Sequence, residues 1–129
     1  MTGNRTCSSP FEAAFSAATI RNNFISGNRP TCSGGGIAVR GAGTVTITGN
    51  VITGNDSSSD GGGIALFAAG TPVVSNNVIS NNSIPSFGGG GGISLVNDSR
   101  ALITNNFIFG NTSNRGGGIY IGAHRARLA

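Results

Sequence analysis

Residues 47–55 read ITGNVITGN, one short phrase written twice in nine positions. Variants of it recur as NNFISGN at 22–28, NNVISNN at 76–82 and NNFIFGN at 105–111. Their central isoleucines, Ile25, Ile52, Ile79 and Ile108, stand 27, 27 and 29 residues apart. A second phrase keeps step: glycine runs at 34–36, 61–63, 90–92 and 116–118 lead into Ile37, Ile64, Ile93 and Ile119. A third apolar segment, written AATI, TVTI, TPVV and RALI, closes on Ile20, Ile47, Val74 and Ile103.

A fixed period of this length marks a solenoid, because each unit buries its apolar side chains only by stacking on the next. The three segments of a unit are short, β-branched and bounded by glycine or asparagine, which disfavours helix and favours strands of three to five residues. The sequence therefore predicts an all-β chain, a single-stranded parallel β-helix of about four coils of 26 to 29 residues. Successive coils lie about 4.8 Å apart, the strand spacing of any sheet. The phrase recurs because equivalent residues sit on one another.

Four inward columns follow: Ile37/Ile64/Ile93/Ile119, Val39/Leu66/Leu95/Ile121, Ile20/Ile47/Val74/Ile103 and Ile25/Ile52/Ile79/Ile108. Two further columns are asparagine throughout, Asn23/Asn50/Asn77/Asn106 and Asn28/Asn55/Asn82/Asn111. An amide carries donors and an acceptor, so asparagines one strand spacing apart can bond into a ladder along the axis. Asparagine also tolerates the left-handed backbone that a sharp corner needs. These columns read as structural.

Composition narrows the function. With 23 glycines, 15 asparagines and 9% charged residues the chain has a low-complexity cast, but disorder needs no register and these isoleucines keep one. The net charge of +4 comes from arginines alone among the basic residues, at mostly unmatched repeat positions, so no basic stripe forms and no nucleic acid is expected as a partner. No apolar run approaches the ~18 residues of a membrane span, and no secretion-signal pattern opens the chain.

The acidic residues are Glu12, Asp56, Asp60 and Asp98. Asp56 and Asp60 flank one loop and Asp98 lies near another corner, where they read as turn residues. His124 has no nucleophile or carboxylate at a matched position. The glycine runs fit neither a phosphate-cradling nor a calcium-binding repeat. No catalytic residue, metal or cofactor is expected. What remains is contact: if the Ile25 column points in, Phe24, Val51, Val78 and Phe107 point out, with Phe109 beside them, as a surface for carbohydrate or for another protein domain. The loops RPTCS, DSSSD, SIPSF and TSNR vary most, and recognition usually sits on such loops.

The first coil departs from the rest. Ser9, Pro10 and Glu12, with Phe11, Ala14, Phe15 and Ala18 at helical spacing, spell a short capping helix; the competing reading is a degenerate strand around Phe11 and Phe15. Cys7 and Cys32 each follow a Gly-Asn-Arg phrase, which puts them in the same loop of consecutive coils, within disulfide reach. A disulfide and two reduced thiols both remain open. The expected organisation is one domain over 1–129: an irregular first coil or cap at 1–16, regular coils at 17–123 and a truncated tail at 124–129. It reads as a fragment of a longer solenoid, whose partners at the open ends are adjoining coils or further copies.

With both phrases in register, residues 17–123 resemble the right-handed parallel β-helix repeat proteins of the pectate-lyase-like superfold. More narrowly they are similar to bacterial surface and secreted proteins of the polymorphic outer-membrane type, whose repeats carry G-G-A-[ILV] and F-x-x-N phrases. The matching residues are turns of the Gly35-Gly36-Ile37 type, together with Ile25-Ser26-Gly27-Asn28, Ile52-Thr53-Gly54-Asn55, Ile79-Ser80-Asn81-Asn82 and Ile108-Phe109-Gly110-Asn111. Here a third glycine replaces the alanine, and isoleucine replaces the phenylalanine. The resemblance implies right-handed coils and a secreted or cell-surface protein; because no two carboxylates share a face, the chain reads as a non-catalytic scaffold or adhesin-like domain. Its alternative is a fragment of a polysaccharide lyase or glycoside hydrolase whose catalytic coils are absent.

Overall fold

The computed structural model describes residues 1–3, 11–14, 17–41, 44–67, 70–96 and 100–122, the strand at 11–14 by its backbone alone. Among them run thirteen strands: β1 (Phe11–Ala14), β2 (Ala18–Arg21), β3 (Phe24–Ser26), β4 (Ile37–Arg40), β5 (Val45–Thr48), β6 (Val51–Thr53), β7 (Ile64–Phe67), β8 (Val73–Ser75), β9 (Val78–Ser80), β10 (Ile93–Val96), β11 (Leu102–Thr104), β12 (Phe107–Phe109) and β13 (Ile119–Ile121). They form three wholly parallel sheets, β2-β5-β8-β11, β3-β6-β9-β12 and β1-β4-β7-β10-β13. Each coil gives one strand to each sheet, so the chain is a β-solenoid of about four turns. No helix among the described residues is long and apolar enough to cross a membrane.

Register follows the repeat. Ile25 pairs with Ile52 and Ile52 with Ile79, Ile47 with Val74, and Ile37 with Ile64. Twelve of the sixteen expected core residues are buried in one cluster; the other four, Ile103, Ile108, Ile119 and Ile121, belong to the fourth coil and pack against it half-buried. That coil supplies the outermost strand of every sheet. The cluster also takes in Val45 and Ala101, which the column reading left out.

The capping helix is not formed. Phe11–Ala14 is a strand, paired in parallel with β4 from Phe11↔Ile37 to Ala14↔Arg40, as the competing reading has it. Local cap signals yield here because an extended segment satisfies the exposed backbone edge of β4, which a helix would leave open. Ser9, Pro10 and Phe15 lie outside the described residues. Residues 1–3 are not irregular. Thr2 bridges Ser26, Ser26 N–H donates to the Met1 carbonyl at 2.9 Å, and Met1-Thr2-Gly3 therefore repeats Ile25-Ser26-Gly27 one coil earlier.

Both asparagine ladders are present. Asn50 Nδ2 donates to Asn77 Oδ1 at 3.0 Å and to the Ile20 carbonyl at 2.9 Å, and Asn77 Nδ2 continues to Asn106 Oδ1 at 2.9 Å. The left-handed corners fall one residue earlier than the ladders. Asn22, Gly49, Asn76 and Asn105 hold φ between 55 and 68° before the first ladder; Gly27, Gly54, Asn81 and Gly110 do so before the second. The ladder asparagine is thus free to turn its amide inward.

One feature of the third sheet breaks the expected alternation. Ala38, Ala65 and Ser94 lie on the side opposite the core isoleucines, yet all three are fully buried. The glycine run folds back over them. A Cβ on Gly61, which sits at φ +64°, would lie 2.2 Å from the Ile64 carbonyl oxygen and 2.7 Å from Ala65 Cα. Glycine is needed there for both backbone angle and closeness.

Candidate functional site

The outer face of the second sheet holds the predicted contact residues. The phrase x-Ile-x puts isoleucine inward and its two neighbours outward. Phe24 pairs with Val51, Val51 with Val78, and Val78 with Phe107, so the four make one column about 14 Å long, three strand spacings. Phe24 and Phe107 are 59% and 74% exposed, the valines between them half-buried. Two residues on runs a second column, Ser26, Thr53, Ser80 and Phe109, in which the Thr53 and Ser80 hydroxyls are 3.0 Å apart; Ser80 is buried, and Ser26 and Thr53 are half-buried. Phe109 is exposed and so is Leu102 on the adjoining sheet. An apolar stripe beside a hydroxyl stripe, on a stiff face with no titratable group in either column, suits stacking and hydrogen bonding rather than proton transfer. The hydroxyl column was legible in FIS, VIT and VIS but was not read from them.

The variable loops stack as the strands do. Arg29, Asp56, Ser83 and Thr112 share one position, with bridges Asp56↔Ser83 and Ser83↔Thr112. Arg29 Nε lies 2.8 Å from Asp56 Oδ2, and the Ser83 hydroxyl donates to Asp56 Oδ1. Because Arg29 is two-thirds exposed, the ion pair contributes under about 1 kcal/mol. Asp60 accepts from the Ser59 hydroxyl at 3.2 Å and from the Gly89 N–H at 3.3 Å. Both aspartates hold loops together through these bonds. Arg29, Pro30, Thr31, Asp56, Ser57, Ser58 and Pro85 line a groove of about 280 Å³ between these loops. Sequence reasoning also missed Phe87, 89% exposed on the 82–93 connection, which is two residues longer than its counterpart at 55–64.

Among the described residues no three of His, Cys, Asp or Glu gather as metal ligands would. The Glu12 side chain, Asp98 and His124 lie outside the described residues. Cys32 is disulfide-bonded, and its carbonyl accepts the Ser57 hydroxyl at 2.9 Å. Cys7, named as its partner from the repeat, also lies outside them.

A family model described as "right handed beta helix region" matches residues 4–128. Neither curated proteins nor solved structures give a match.

Proposed function

The chain belongs to the right-handed β-helix family, and from that premise we propose that it is a non-catalytic extracellular scaffold or adhesin-like repeat domain that binds carbohydrate on the outer face of its second sheet. The exposed column Phe24, Val51, Val78 and Phe107 carries this reading. Sugar rings pair an apolar C–H face with hydroxyl edges, and the column with the half-buried Ser26 and Thr53 beside it offers a counterpart to each. Both columns stand on paired strands over a buried core, so little ordering is lost on binding. The disulfide at Cys32 favours an oxidising compartment, hence a secreted or cell-surface protein. The repeat phrases favour a bacterial one.

Affinity electrophoresis against neutral and acidic polysaccharides tests the reading. Retardation that Phe24→Ala combined with Phe107→Ala abolishes is expected; no retardation by any polymer, or retardation the double variant keeps, overturns it and leaves a protein domain as the partner. The commitment of Asp56 and Asp60 to loop bonds supports the non-catalytic half. Release of unsaturated or reducing products from pectate or alginate, lost in Asp56→Ala, would instead favour a fragment of a polysaccharide lyase or hydrolase.

A further inference from the structure

No further inference is drawn: the strongest candidate, the end face of the fourth coil, where β11, β12 and β13 are the outermost strands of their sheets and Ile103, Ile108, Ile119 and Ile121 are only half-buried, is an apolar face with no partner among the described residues, and nothing in the structure shows what covers it.

Discussion

The Oδ1 of Asn82 accepts two hydrogen bonds from Asn55, one from its side-chain Nδ2 and one from its backbone N–H, both at 3.0 Å. Asn55 is bound in the same way from above. Its own Oδ1 accepts from Asn28 N–H at 3.1 Å and Asn28 Nδ2 at 2.9 Å, while its second amide hydrogen goes to the Ile25 carbonyl. Four bonds exhaust the acceptor pair and both donors of the amide, which is how a fully buried polar side chain is tolerated.

Replacing Asn55 with alanine strips Asn28 of its acceptor and Ile25 of its donor inside the stack. Each orphaned buried group costs about 1–3 kcal/mol, so a loss of about 3–5 kcal/mol is expected. Asn111→Ala, in the half-buried fourth coil, should cost about 1 kcal/mol. Urea midpoints of the two variants check the order; equal shifts would mean the ladder is not what holds the coils.

Glycines of the third sheet face two kinds of neighbour. A Cβ on Gly62 would lie 2.4 Å from the Gly91 carbonyl oxygen and 2.7 Å from that of Ser83, both backbone. On Gly89 it would meet the Tyr120 ring, at 2.0 Å. Gly62→Ala should therefore cost about 3 kcal/mol with no side-chain remedy, whereas Gly89→Ala should cost about 1–2 kcal/mol and be relieved by Tyr120→Ala. A double-mutant cycle with no coupling between 89 and 120 would refute the account.

These contacts show where the sequence was readable. Ile25, Ile52, Ile79 and Ile108 announced their column because identical residues stack on themselves, and the asparagines did so for the same reason. Ala38 and Ala65 were not readable as buried, since alternation tells which face a side chain takes and not what lies over that face. The covering glycine run depends on a backbone path that only the turn at Gly61 reveals. Phe11–Ala14 failed differently: its cap signals are local, and the edge of β4 that overrides them comes from residues 37–40. For the candidate site, the periodicity marked the Phe24 column as outward, but Phe87 sits in the least periodic loop, SIPSF, whose variability marked the loop and not the residue.

Phe24 and Phe107 lend the fold little, because most of each ring is already in water. Replacing either with alanine should change unfolding free energy by no more than about 0.5 kcal/mol. Thermal scans of the single variants check this, and a large loss would assign the rings to stability instead of contact.

The disulfide at Cys32 should matter most where the chain has least regular core. Cys7 is the one other cysteine in the sequence, and a bond between the two would close a loop of 25 residues. Loop closure of that size removes about 3 kcal/mol of chain entropy from the unfolded state. Thiol titration of the denatured, unreduced protein should accordingly find no free thiol, and reduction should lower the urea midpoint. Because β1 is the edge strand of its sheet while β4 is also paired with β7, backbone hydrogen exchange should rise first along Phe11–Ala14 once the bond is cut. Two titratable thiols in the untreated protein would refute the bond and remove the support it lends to an extracellular location.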